Sequence, residues 1–229
     1  MTNEQYRIEW VSKKLKKQIK NQKIIDVGAG ECQYKKFCTH LRYTSQDINE
    51  YNPKAINVGL QMPDWNNRMI DIVSDITKIP VKNKSFDVVL CTEVLEHVIN
   101  PESAIKEISR ITKNGGKLIL TAPFCSLTHF APYHYATGFN RYFFYEVLKK
   151  YGFRIIEISS NGNYFSYLQQ EIQRTPQVIK NYVNPVLGKI LFPLYYLLSL
   201  SIQPLIRYGN KSSELLTFGY HIYAEKTDN

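Results

Sequence analysis

The sequence predicts an α/β fold built on a largely parallel sheet, and three observations carry that reading. Apolar strand-like runs alternate with segments of helical spacing along most of the chain. The run Val88-Val89-Leu90 is apolar on both faces, as in a strand buried between helix layers. A short apolar strand ending at Val27 runs directly into Gly28-Ala29-Gly30, where glycines let the backbone turn sharply and approach a ligand.

The elements follow in order. Ile8, Val11, Leu15 and Ile19 recur at helical spacing and predict a helix over 3–21. Strands are expected at 23–27, 42–47, 69–75 and 85–93. Asn100 followed by Pro101 opens a helix over 101–113, which Asn114-Gly115-Gly116 ends. A fifth strand spans 117–123, a helix closed by Gly152 spans 139–153, and further strands are expected at 153–159 and 219–226. Two stretches break the alternation. Residues 48–68 show no clear crossover helix, and residues 163–218 form a long insertion before the last strand.

Composition bounds the rest. A chain of 229 residues with 44% hydrophobic and 21% charged side chains folds around a core, as one domain with an elaboration. Cys32, Cys38, Cys91 and Cys125 show no zinc spacing, and the first residues have no apolar signal core. A reduced, cytoplasmic protein is expected. The net charge of +9 is concentrated in Lys13, Lys14, Lys16, Lys17, Lys20 and Lys23. A solvated helix face explains these lysines, and an anionic membrane surface or RNA would also attract them. The cluster lacks interleaved aromatics and any nucleic-acid motif, which counts against nucleic acid.

The glycine turn gains meaning from the acids around it. Asp47 ends the second strand, 17 positions after Gly30, where a carboxylate can accept hydrogen bonds from ribose hydroxyls. Asp75 ends the third strand beside Ile76, a pairing that suits an adenine ring. Gln33 stands where a dinucleotide fingerprint has its third glycine, which argues against a nicotinamide or flavin cofactor. Glu93, Glu96 and His97 sit within one turn of each other. They read either as a catalytic carboxylate or base, or as a network shaping the cofactor pocket.

The segments IIDVGAGE, SDITKIP, SFDVVLCTEVLEHV and NGGKLILTAP, with the strand-end Asp47, resemble the class I S-adenosylmethionine-dependent methyltransferases of the broad type that includes the ubiquinone-biosynthesis enzymes. The resemblance covers residues 23–123. It implies a Rossmann-like sheet of seven strands, strand seven antiparallel, with helices on both faces and a helical insertion between strands six and seven. The cofactor it implies is S-adenosyl-L-methionine. Gly28, Ala29 and Gly30 would pass under its methionine part, and Asp26 would help hold the amino group. Asp47 with Ile48 would hold the ribose, and Asp75 with Ile76 the adenine. Cys91, Thr92, Glu93 and Val94 would line the cofactor and the methyl-transfer opening, with His97 close by. The expected division is a cofactor-binding domain at 1–162 plus 217–229, with 163–216 as a helical cap or membrane-proximal insertion.

The acceptor half is read from the loop after the fifth strand. His129 and His134 lie there among Phe124, Phe130, Tyr133, Tyr135, Phe139 and Tyr142. A histidine titrating near neutrality is the usual base for an alcohol acceptor, and aromatics suit a ring or sugar. His134 is the first candidate base and His129 the second. His40 and His221 are set aside, as an ordinary helix end and an edge strand. No metal is expected, because no acidic third ligand stands out beside the two loop histidines. The loop also resembles a narrower group of methyltransferases found with bacterial surface-polysaccharide biosynthesis, which implies a small-molecule, saccharide or lipid-linked acceptor methylated on oxygen.

An exocyclic-amine nucleic-acid enzyme would carry an Asn/Asp-Pro-Pro-aromatic run after strand four, where this chain has Cys91-Thr92-Glu93-Val94. Other RNA targets, protein targets and a non-catalytic cofactor-binding role remain as alternatives. Within the insertion, residues 190–206 carry no charge and are bracketed by Lys189 and Arg207. Packed cap helices, a membrane-surface hairpin and a span are all readings of that run. Together with the lysine-rich helix, it would place the enzyme at the inner membrane surface.

Overall fold

The computed structural model describes residues 2–50 and 69–227. Its contacts divide into two units, Met1–Ser159 with Gly219–Asn229, and Ser160–Phe218.

The strands are β1 (Lys23–Val27), β2 (Arg42–Asp47), β3 (Ile72–Val73), β4 (Phe86–Thr92), β5 (Thr112–Pro123), β6 (Phe153–Asn161) and β7 (Gly219–Lys226). They form a sheet in the order β3-β2-β1-β4-β5-β7-β6. β1 pairs parallel with both β2 and β4, and β4 pairs parallel with β5. β7 runs antiparallel beside β5, with Ile119 opposite Tyr223 and Thr121 opposite His221. This is the expected Rossmann-like sheet with an antiparallel seventh strand. His221 therefore lies on an interior strand, not on an edge. It is buried and stacked on Trp10 at 5.1 Å between ring centroids.

Strand alternation sends neighbouring residues to opposite layers. Ile25, Val89, Leu118 and Leu120 join Ile105, Ile108 and Phe144 of the helices α2 (Pro101–Ile111) and α3 (Arg141–Lys150). Ile24, Val88, Leu90 and Ile119 face the other way, onto Val11 and Leu15 of α1 (Asn3–Lys16). The Asn100 side chain caps α2 with Pro101 in its first turn, as the dipeptide predicts.

Several boundaries move. α1 ends at Lys16, because the chain turns through Lys17–Asn21 to reach β1. Asn21 adopts φ of 67°, and Ile19, expected on the apolar face, is 72% exposed. β3 keeps only two residues. Upstream of it the Asp71 carboxylate, rather than a backbone carbonyl, accepts the Ser45 N–H at 2.8 Å. β5 begins at Thr112, so Asn114-Gly115-Gly116 lies inside the extended segment. α3 starts one residue after its cap Asn140, and β6 runs on to Asn161. His40 follows a 3-10 turn at Lys35–Phe37 and is not a helix end. The expected gap in the crossover between strands two and three falls largely on residues 51–68, outside the described ones.

The smaller unit contains α4 (Tyr164–Tyr182) and α5 (Pro185–Tyr208), capped by the side chains of Asn163 and Asn184. Gln169 Nε2 donates to the Ser199 carbonyl at 2.8 Å across the pair. Within α5 only Gly188 and Ser199 are buried, and Ile190, Phe192, Leu197 and Leu200 stay exposed. α5 is 24 residues long and contains an 18-residue stretch of mean hydropathy 1.5, long and apolar enough to cross a membrane by length and composition.

Candidate functional site

A cavity of about 930 Å³ opens at the carboxyl ends of β1, β2 and β4, the edge where open α/β sheets take ligands. Of the residues expected at a cofactor, Gly28, Asp47, Ile48, Asp75, Ile76, Glu93 and His97 line it, together with Val94.

The floor is the turn after β1. Gly28 has φ of 70° and Gly30 φ of 50°, both in the region glycine tolerates. A Cβ on Gly28 would stand 2.3 Å from Val94 Cγ2, so only glycine keeps the floor open there. Asp47 ties the turn to β2: its Oδ2 accepts the Gly30 N–H at 2.9 Å and its Oδ1 accepts the Asn49 N–H at 2.8 Å. Asp75 Oδ1 accepts both the backbone N–H and the hydroxyl of Thr77 at 2.7 Å, an Asx turn that holds Ile76 against the core.

Five expected residues do not form the wall. Cys91 is fully buried, because strand alternation turns its side chain into the core with Val27 and Val89. Thr92, the last residue of β4, stays off the wall as well. Ala29 and Gly30 shape the turn from behind. Asp26 is buried beneath it. Its Oδ2 accepts from the Tyr43 hydroxyl at 2.7 Å, and its Oδ1 has no hydrogen-bond partner among the described residues. Burial pushes the Asp26 carboxyl up to about 7, although the Tyr43 bond works against the rise.

Glu93 is held rather than free. Its Oε2 pairs with Arg7 at 3.0 Å and its Oε1 accepts the Thr121 hydroxyl at 2.9 Å. It follows the last residue of β4 with φ of 53°, a backbone conformation that non-glycine residues rarely adopt. Arg7 is the residue the sequence reading missed. Its one signal is position, since Arg7, Val11 and Leu15 share a helix face at intervals of four.

Glu96 and His97 sit in a 3-10 turn, Leu95–His97. Glu96 is buried, and burial together with neighbouring Glu93 drives its carboxyl well above the usual range. The loop after β5 folds onto this turn. The N–H groups of Tyr135 and Ala136 donate to the Glu96 carbonyl at 2.9 and 3.2 Å. His97 is thereby brought against both loop histidines, with ring centroids 4.8 Å from His129, 6.0 Å from His134 and 5.0 Å from Phe130. His129 and His134 are themselves 4.8 Å apart. His97 lines the cavity with Phe130, Tyr133 and Tyr135, so the two candidate bases stand just behind its wall.

The hydrogen bonds fix the ring states. His97 Nδ1 faces the Tyr133 carbonyl at 2.5 Å and His129 Nδ1 the Leu127 carbonyl at 2.8 Å. A carbonyl only accepts, so each Nδ1 carries the hydrogen and each Nε2 is bare. The Ser126 hydroxyl donates to the Thr137 carbonyl at 2.9 Å, so it accepts from His134 Nε2, 3.1 Å away. That leaves His134 Nδ1 bare. Burial lowers His97 to about 4, and burial with neighbouring His129 also lowers His134. Both rings are neutral near pH 7, the state a general base needs.

Residues 25–120 match the model of the methyltransferase domain family. The demethylmenaquinone methyltransferase of Mycolicibacterium paratuberculosis is 23% identical over 164 residues, 68% of this chain and 61% of that protein. The ubiquinone biosynthesis O-methyltransferase of Xanthomonas oryzae pv. oryzae is 30% identical over 118 residues, 50% of this chain and 48% of that protein. The chain thus spans about half to three-fifths of the length of these relatives. Among solved structures, phosphoethanolamine N-methyltransferase 2 of Haemonchus contortus, in complex with S-adenosyl-L-methionine, shares the fold. It has a TM-score of 0.53 at 16% identity, over 98% of this chain and 53% of that one.

Proposed function

We propose that this methyltransferase domain binds S-adenosyl-L-methionine over the Gly28 turn and methylates an oxygen of a small-molecule, saccharide or lipid-linked acceptor. The observation that carries the reading is one cavity lined by Gly28 of the glycine turn, the acids Asp47 and Asp75, and His97, with His129 and His134 packed against His97. The parts fit the cofactor. Asp47 offers a carboxylate to a ribose, Ile76 beside Asp75 offers an apolar face and an acceptor to an adenine, and Gly28 leaves the space a Cβ would fill. The unpartnered Asp26 Oδ1 suits an ammonium reaching the turn.

The bound cofactor supplies an electrophilic methyl group on a sulfonium. The chain's own part is alignment and proton removal. Phe130, Tyr133 and Tyr135 offer ring faces to an acceptor beside His97. His134, neutral and with Nδ1 bare, is the assigned base for the acceptor hydroxyl, and His129 orients beside it.

A lipid-linked acceptor is favoured by α5, whose apolar side chains are exposed between Lys189 and Arg207. An apolar stripe with basic flanks suits the interfacial layer of a membrane, and the lysines of α1 suit its anionic surface. The names of two relatives refer to quinone biosynthesis, which is compatible with an acceptor of this kind. A cytoplasmic enzyme at the inner membrane face, with 163–216 as the membrane-proximal segment, follows from that reading.

The test is transfer of isotopically labelled methyl groups from S-adenosyl-L-methionine into total lipid and water-soluble extracts. Label in an organic-phase product supports the lipid-linked acceptor. Label confined to water-soluble products moves the assignment to a soluble acceptor, and no label in either sinks the enzymatic reading.

A further inference from the structure

The structure assigns a divalent-cation site to Glu96, His97 and His129, beside the cofactor cavity, and the ligand it would take there is an acceptor hydroxyl oxygen. The cation site stands on its own geometry; only the identity of its oxygen ligand rests on the methyl-transfer reading.

One imidazole nitrogen from each histidine and one Glu96 carboxylate oxygen all lie within 4.8 Å of one another. A packed aromatic cluster would bring the rings together without ordering their nitrogens. Here the nitrogens are ordered. Both Nδ1–H groups are committed to backbone carbonyls, at 2.5 Å for His97 and 2.8 Å for His129, so both Nε2 lone pairs are free for a cation. A metal-bound histidine is held in the same way, by donating its other ring N–H to a carbonyl. The carboxylate gives a second, independent sign. Glu96 is 1% exposed, its Oε2 has no hydrogen-bond partner among the described residues, and its Oε1 lies 3.7 Å from His97 Nε2. A buried oxygen without a partner is costly unless something positive meets it.

The donor set selects the ion. Two imidazoles and one carboxylate suit Zn²⁺, Mn²⁺, Fe²⁺ or Co²⁺ rather than the all-oxygen ligation of Ca²⁺. Ligands at ~2.05 Å in a tetrahedron stand about 3.3 Å apart, so the site closes on binding. His129, half-buried on the loop after β5, is the ligand placed to move. Three protein ligands leave an open position, and His97 lines the cavity wall. A hydroxyl bound at that position becomes more acidic. Its O–H bond breaks, the proton passes to the bare Nδ1 of His134, and the oxygen keeps the electron pair, shared with the cation.

The test is calorimetry of the chelator-treated chain with Zn²⁺ and with Mn²⁺, plus visible absorption of the Co²⁺ form. S-adenosylhomocysteine affinity is measured in parallel. One ion per chain is expected, with His129→Ala and Glu96→Gln each weakening it by at least about 10-fold. Because Glu96 is buried, His129→Ala is the decisive variant, its fold checked by an unchanged melting curve, and His40→Ala is the control. Uptake that ignores His129→Ala puts the ion elsewhere and overturns the site. No uptake with S-adenosylhomocysteine still bound overturns the site alone. Loss of S-adenosylhomocysteine binding in the unaltered chain is the separate failure of the methyl-transfer reading.

Discussion

Asp47 Oδ2 accepts the Gly30 N–H at 2.9 Å, so the end of β2 holds the glycine turn that follows β1. The same carboxylate lines the cavity, which couples the shape of the turn to the proposed ribose site. Asp47→Ala removes both roles. Affinity for S-adenosylhomocysteine should fall by about 1.5–3 kcal/mol, the scale of a lost charge-assisted hydrogen bond. Calorimetry on Asp47→Ala checks this, and unchanged affinity would remove Asp47 from the site.

Gly28 and Val94 give a second prediction. Gly28→Ala places a methyl 2.3 Å from Val94 Cγ2 at a φ of 70°, so it should destabilise the chain by about 1–3 kcal/mol from backbone strain alone, before the clash. Val94→Ala in the same chain relieves the clash but not the strain. The double variant should therefore melt above Gly28→Ala and below the unaltered protein. A double variant melting no higher than Gly28→Ala would show that Val94 does not close the floor.

Asp26 gives the fold a pH-dependent stability. Its folded carboxyl is raised from 3.8 to about 7 by burial, while the unfolded group titrates near 3.8. The group therefore contributes stability fully below about pH 4, and loses it as pH rises through about 7. The swing is at most about 4 kcal/mol, from roughly three units at 1.36 kcal/mol each. Denaturant titrations of the cofactor-free chain at pH 4.5 and 8 should show the decline, and Asp26→Asn should flatten it. Equal slopes in both proteins would contradict the buried-acid account.

His134 carries the catalytic prediction. His134→Ala should lower turnover by about 10²–10⁴-fold, the range for a positioned base, while cofactor affinity stays unchanged. Because the ring is held neutral, activity should persist below the pH at which an ordinary histidine protonates. Full turnover in His134→Ala would place the base elsewhere.

The strand pattern made the sheet legible, because Ile24-Ile25 and Val88-Val89 alternate between two covered faces. Asp47 was legible for the same reason, since it is the last residue of β2 at the ligand edge; Asp75 lies two residues past β3 and reaches the cavity from an Asx turn instead. Contacts made by folding distant segments together were not. Nothing local pairs Arg7 with Glu93, 86 positions apart, or joins His97 to His129 across the β5 strand. Glu96 and His97, which the proposed cation site joins to His129, lie in that 3-10 turn, Glu96 33 positions before His129. Cys91 misled in the opposite way. Glu93 and Val94, just past the end of β4, reach the cavity, but strand alternation turns Cys91 into the core.

The most direct test of the central claim is calorimetry of the purified chain with S-adenosylhomocysteine, run beside NADH. One saturable site for S-adenosylhomocysteine is expected, competed by S-adenosyl-L-methionine and weakened in Asp47→Ala, with no heat from NADH. Saturable NADH binding, or no S-adenosylhomocysteine binding by the folded chain, would contradict it.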